Sequence, residues 1–209
     1  MEQENAMPEL AREQPLPMGH FWDEFKSYSF RNKRLTVVGF LRFLLHAHKF
    51  ETKEPIVIGE KAVIAKNEKT GRLVAGRGVR ISRGCILVVG GRGLLSLGTR
   101  TVIGPNTRIM AATQVRIGAR CMISWNCSIF DSIGHRMWLQ GRDEAVVEAP
   151  ITIGDDVWIG PHTIIMKGVE IGPNSIIGAG SVVRRTIPPN SLAYGNPARV
   201  VGKVDRWER

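Results

Sequence analysis

Residues 147–183 read VEAPITIGDDVWIGPHTIIMKGVEIGPNSIIGAGSVV, and seven aliphatic side chains recur there six positions apart: Val147, Ile153, Ile159, Ile165, Ile171, Ile177 and Val183. A helix repeats about every 3.6 residues and a strand every two, so neither makes such a period over this length. Glycine follows four of them, at Gly154, Gly160, Gly172 and Gly178, and the unit becomes Ile-Gly-x-x-x-x. Hexads of this kind predict a parallel β-helix, in which short straight segments alternate with tight corners and one aliphatic side chain per segment faces the axis. Glycine is expected to relieve the backbone at each corner.

The period extends upstream. Leu97, Ile103 and Ile109 keep the six-residue step, with Gly98 and Gly104 following, and after two extra residues Ile117, Ile123 and Ile129 resume it. From about Ile56 to Leu97 the pattern is irregular and rich in Gly and Arg. Three hexads make one coil, and coils stack at the ~4.8 Å spacing of paired strands, so six to seven coils form a prism on the order of 30 Å long. Between Ile129 and Val147 the pattern breaks. Asp131, Arg136, Arg142, Asp143, Glu144 and Glu148 crowd this stretch, and burying such charge is costly, so residues 131–149 are expected to leave the coil as a loop. Pro188-Pro189 ends the repeat.

The resulting division is a disordered polar N-terminus (1–18), a helical cap (19–55), the β-helix (56–187) and a tail (188–209). Phe21, Trp22, Phe25, Leu35, Val38, Phe40, Leu41, Phe43, Leu44 and Leu45 suggest one or two short helices that close the open end of the coil stack. Arg31, Lys33, Arg34, Arg42 and Lys49 flank these apolar residues, which makes a membrane-surface contact the alternative reading.

No apolar run reaches the ~18 residues of a membrane span. The first twenty residues do not resemble a signal peptide, so a cytoplasmic protein is expected, at the inner membrane surface in the alternative reading. Cys85, Cys121 and Cys127 are odd in number and lack CxxC spacing, which points away from a disulfide framework or a zinc site.

The net charge of +10 is uneven. Between Glu68 and Asp131 there is no acid, yet nine arginines occur: Arg72, Arg77, Arg80, Arg83, Arg92, Arg100, Arg108, Arg116 and Arg120. A positive field attracts polyanions such as an acidic glycan or a phosphate-bearing cofactor; solvated coil corners are the plainer reading. No nucleic-acid module is recognisable, and none is expected as a partner.

The stretches Ile151-Thr-Ile-Gly-Asp-Asp-Val-Trp-Ile-Gly160, Gly178-Ala-Gly-Ser-Val-Val183, Ile187-Pro-Pro-Asn190 and Gly195-Asn-Pro-Ala-Arg-Val200 resemble the hexapeptide-repeat acyltransferases, and among them the sugar and polysaccharide O-acetyltransferases. The resemblance is dense from Thr101 to Lys203. It implies an all-β fold, a left-handed parallel β-helix with a short helical N-terminal appendage, assembled as a homotrimer with acetyl-CoA between neighbouring subunits and no metal. It also implies direct transfer of the acetyl group to an acceptor hydroxyl.

An alcohol needs a base, and a neutral imidazole suits that role near neutral pH. In the family the histidine base stands in a loop just before the Pro-Ile-Thr-Ile-Gly restart, which here is His135. Asn126 and Asp131 are the implied acceptor-side residues. For CoA the resemblance indicates Trp158, Gly160, Ala179, Arg184, Arg185, Asn196 and Arg199, with arginines neutralising phosphates. Galactoside and maltose acetyltransferases tend to carry acids about one coil earlier, where this chain has Ala111-Ala112, so a glycan or lipid-linked sugar is the expected acceptor, with an anionic one suggested by the arginines. N-acetylation of an amino sugar or nucleotide sugar is the alternative, and a catalytically inert scaffold the non-enzymatic one. A γ-type carbonic anhydrase would need three converging histidines, whereas only His135 and His162 fall within the repeats.

Overall fold

The computed structural model describes residues 30–51, 54, 56–67, 69–138, 140 and 147–208, with side chains from residue 37 onward. The segment expected to be disordered, 1–18, and the first part of the expected cap lie outside the described residues. The chain winds as a parallel β-solenoid with three faces. On the first face Val57–Ile58, Arg80–Ile81, Val102–Ile103, Met122–Ile123, Trp158–Ile159, Ile176–Ile177 and Ser191–Gly195 pair in parallel, and Ala198–Lys203 closes the row antiparallel. The second face carries Val63–Lys66, Ile86–Val89, Arg108–Ala111, Ser128–Phe130, Ile164–Ile165 and Val182–Val183. On the third lie Arg72–Ala75, Leu94–Leu97, Gln114–Ile117, Ile151–Ile153 and Glu170–Ile171. Five coils are complete; the sixth has only the Ile171–Ile187 bridge on its third side.

The hexad rule is a packing rule. Ile153, Ile159, Ile165, Ile171, Ile177 and Val183 are all buried on the axis, stacked on Ile103, Ile109, Ile117, Ile123 and Ile129. The glycine after each isoleucine serves a different purpose from the one expected. Gly104, Gly118, Gly154 and Gly160 do not have positive φ; a Cβ there would lie 2.4–2.7 Å from atoms of the next coil, mostly its backbone, so glycine permits the coils to approach. The left-handed residue falls two positions later, at Asn106, Arg120, Asn126, Asp156, His162 and Asn174. Its amide then bonds the coil beneath: Asn126 donates to the Pro105 carbonyl (2.9 Å), and His162 to that of Trp125 (3.1 Å). Asparagine tolerates this conformation best among non-glycine residues, which accounts for its recurrence.

One member of the series departs from expectation. Val147 is half-exposed and lies outside the strands, on the returning arm of the 131–149 loop; the axial row there is carried by Ile151 and Ile153. The irregular early region is regular in space. First-face partners Val57, Arg80, Val102 and Met122 follow one another at longer intervals than Trp158 and Ile176, because the early strands on the second and third faces are four residues long. The longer sides, not a different fold, erase the six-residue period there.

Ahead of the coils stands helix α1 (Phe30–His46), followed by a short 3-10 turn, Ala47–Lys49. Phe43 and Phe50 are buried in the same core as Ile56, Ile58, Ile64 and Leu73, with ring centroids 5.8 Å apart. Gly39 is where the helix touches the first coil; a Cβ there would meet Val57 Cγ1 at 2.5 Å. Lys49 Nζ donates to the Ile64 carbonyl (2.6 Å), and the Glu51 amide to that of Leu73 (2.8 Å). The helix thereby covers apolar side chains and strand groups that the first coil would expose.

Candidate active site

Among the described residues the solenoid opens once, after Phe130, at the corner between the second and third faces. The two arms of the loop pair antiparallel: the Ser132–Glu148 bridge is flanked by Ile133 N donating to Val147 O (3.0 Å) and Ala149 N to Asp131 O (2.9 Å). Ala149 also accepts from Gly168 N (3.1 Å), which ties the returning arm to the following coil. The outgoing arm is fixed by Asp131. Its carboxylate is fully buried and accepts four hydrogen bonds, from the amides of Ala112 (2.8 Å), Thr113 (2.8 Å) and Gln114 (2.7 Å) and from the Thr113 hydroxyl (3.0 Å). Asp131 therefore binds the corner of the preceding coil, at the Ala111-Ala112 stretch noted above, and its oxygens face that corner rather than solvent.

From this stem the chain turns through Ser132, whose Oγ accepts from Gly134 N (3.0 Å), and Gly134, at φ 74°. His135 follows, exposed. Arg136 and Trp138 come next, the guanidinium carbon 5.1 Å from the indole centroid, with Trp138 63% exposed. A rigid base thus presents an imidazole and an aromatic ring to solvent.

The remaining residues implied by the resemblance fall into two groups. Asn126, Gly160 and Ala179 line the corner between the first and second faces in successive coils, and the tip of the final hairpin (Ser191–Gly195 with Ala198–Lys203), where Asn196 lies, sits beside it. Gly195 N donates to Ser181 Oγ (3.2 Å), and a Cβ on Gly178 would lie 2.8 Å from that of Tyr194. Arg199, exposed, is on the hairpin's second strand. Arg184 and Arg185, both exposed, occupy the other corner, in the column of Asp131 and His135. The second face separates the two groups within one chain.

Trp158 belongs to neither corner. It stands on the first face, where its Nε1 donates to Ser124 Oγ (3.3 Å) and its ring lies 6.0 Å from that of Trp207. Trp207 in turn donates to the Asp156 carbonyl (2.6 Å). The sequence offered no sign of this contact beyond an aromatic residue near the end of the chain.

Two further features bear on the chemistry. Cys85, Cys121 and Cys127 are buried and form no disulfide, and desolvation pushes their thiols up, to about 11 for Cys85 and about 12 for Cys121. Such groups are inert as nucleophiles. The acid-free arginine stretch is not acid-free in space. Arg72 pairs with Glu51 (3.0 Å), and Arg120 with Asp156 (2.6 Å) and Asp155 (3.4 Å), acids brought from outside the stretch by stacking.

With this geometry in view, the comparisons with known proteins are consistent. Residues 150–185 match the family described as bacterial transferase hexapeptide (six repeats). The chain is 42% identical over 101 residues to galactoside O-acetyltransferase of Escherichia coli (strain K12), covering 48% of this chain and 49% of that protein. A probable acetyltransferase of Mycobacterium tuberculosis (strain ATCC 25618 / H37Rv) is 31% identical over 172 residues, 80% of this chain and 57% of that protein. The chain thus spans about half the length of the curated relatives it matches. Among solved structures, the polySia specific acetyltransferase NeuO superposes with a TM-score of 0.60 at 25% identity, covering 74% of this chain and 84% of that one. The N-acyltransferase AntD from Bacillus cereus, in complex with dTDP and 3-hydroxybutyryl-CoA, shares the fold with a TM-score of 0.64 at 22% identity, over 78% of this chain and 88% of that one. The fold is that of a parallel solenoid built of hexapeptides. The chain carries the hexapeptide transferase repeat, and the resemblance read from Ile151–Gly160 holds.

Proposed function

We propose that the protein transfers an acetyl group from acetyl-CoA to a hydroxyl of a sugar in a polysaccharide or lipid-linked glycan, with His135 as general base. The observation that carries this reading is the placement of His135. It is the imidazole on a loop whose base is locked by the four hydrogen bonds to Asp131, at the only break in the late coils among the described residues. In the proposed step His135 takes the proton from the acceptor hydroxyl as its oxygen attacks the thioester carbonyl. The C–S bond then breaks, and the imidazolium returns the proton to the departing thiolate. Asn126 is assigned to the acceptor or the pantetheine. Asp131 is assigned a positioning role, because its oxygens are already filled by backbone donors.

For the donor, Gly160, Ala179, Asn196 and Arg199 of one chain and Arg184 and Arg185 of another are assigned to a groove between subunits of a homotrimer. The support is the division of these residues between two corners that one chain holds apart. Small residues at the corner admit the pantetheine arm, while the exposed arginines neutralise phosphate. Trp158 is given a share in the donor side through the first face, together with Trp207. N-acylation of an amino sugar is the alternative, since a histidine base serves either acceptor and AntD shares the fold.

The test is thiol release from acetyl-CoA across a panel of glycans and amino sugars. Wild type is expected to turn over a saccharide acceptor, and His135→Ala to lower kcat by roughly 10² to 10⁴ with unchanged thermal stability. Full turnover by that variant would remove His135 from the mechanism.

A further inference from the structure

Helix α1 is apolar on two opposite sides. One side, with Gly39 and Phe43, is buried against the first coil. The other carries Val37, Leu41, Leu44 and Leu45, at the i, i+4, i+7 and i+8 spacing of a single stripe, with exposures of 37%, 54%, 54% and 73%. A surface helix ordinarily turns a polar face to water, so a continuous aliphatic stripe signals a missing partner. The charge around it is one-sided. Between Glu24 and Glu51 the sequence has Lys26, Arg31, Lys33, Arg34, Arg42 and Lys49 and no acid. Lys49 is engaged with the Ile64 carbonyl, while Arg31, Lys33, Arg34 and Arg42 fall on the helix, whose sequence holds no acid.

We propose that α1 is a membrane-docking element that lays Val37, Leu41, Leu44 and Leu45 into the headgroup region of an anionic phospholipid bilayer. An aliphatic stripe on a helix whose charged residues are all basic is the pattern of an interfacial helix, whose affinity combines buried apolar area with attraction to anionic lipid. The helix is too short and too charged to cross the bilayer, and none of the described helices is a candidate span. A second copy of the chain would set one basic helix against another, which opposes pairing through this face. Since the stripe lies opposite the side that seats on the first coil, docking leaves the 131–149 loop free. The inference is independent of the chemistry assigned to His135.

Flotation of the full chain with phosphatidylcholine vesicles and with vesicles containing phosphatidylglycerol tests it. Binding to the anionic vesicles alone is expected, weakening several-fold as salt rises from about 0.1 M to about 1 M, where the Debye length shrinks. Leu41→Glu with Leu45→Glu should lower vesicle partitioning by about tenfold or more, without changing turnover of a soluble acceptor. Both positions are exposed, so the fold should tolerate the change. Lys33→Glu with Arg34→Glu should weaken binding to anionic vesicles independently. Absence of vesicle binding by the wild type, or binding by both pairs of variants equal to that of the wild type, overturns the proposal. So does a fall in sedimentation coefficient for Leu41→Glu with Leu45→Glu in lipid-free buffer, which would assign the stripe to self-association.

Discussion

Asp131 shows how much one side chain can decide. Its carboxylate is buried with no cationic partner among the described residues, a state tolerated because four donors converge on it. Asp131→Asn replaces one acceptor oxygen by an NH₂ facing backbone N–H groups, which costs about 1–3 kcal/mol. The stem should loosen, so kcat is expected to fall while the KM for acetyl-CoA stays nearly constant; thermal unfolding and steady-state kinetics check both parts. An unchanged melting temperature would mean that the clasp carries no stability. At Cys85, Cys121 and Cys127 the expectation is inertness. With thiols raised by burial, a disulfide reagent near pH 8 should label none of the three in the native protein and all three in guanidinium. Rapid native labelling would show that the coils open locally.

At the scale of elements, α1 and the coils are joined through a titratable seam. His46 closes the helix, and desolvation, then Lys49 and His48, lower its pKa from the ordinary 6.5. The folded state thus favours neutral imidazole. The unfolded chain binds the proton first as pH falls, so the contribution to stability is complete above about pH 6.5 and declines below it until His46 protonates in the folded state as well. Amide protection factors across Phe43–Phe50, with exchange normalised to the intrinsic rate at each pH, should therefore fall between about pH 7 and about pH 5, with His46→Gln removing the dependence. The coil corners behave differently. Their order rests on backbone ladders and close glycine contacts, which do not titrate, and at two corners on carboxylates, Asp131 and Asp155, that accept backbone hydrogen bonds.

At the scale of the molecule, the two groups of candidate residues lie on different corners, and one chain cannot bring them together without bending a stacked solenoid. Sites formed between chains can be recognised by complementation. His135→Ala and Ala179→Trp should each be inactive alone. Co-expressed in equal amounts, they should recover up to about a quarter of wild-type activity, since a site between two chains has that chance of pairing two intact halves. No recovery from mixed assemblies would place the whole site within one chain.

The sequence by itself determined the solenoid, its axial row of isoleucines, the place where it opens and the histidine presented there, because a period of six and its interruption are properties of the chain alone. It misplaced Val147, since the residue keeps the six-step spacing while the backbone has left the coil. It also gave the glycines a φ role, where coil-to-coil distance is what requires them. Stacking was decisive wherever residues far apart in sequence meet. Asp131 reaches Ala112–Gln114, Arg120 reaches Asp155 and Asp156, and Trp207 covers Trp158 only because each coil lays new residues over old ones. An acid-free run of sequence is therefore not an acid-free surface, and a polar loop residue can prove to be the buried anchor of the loop. Such contacts depend on coil length and register, which only the tertiary structure sets.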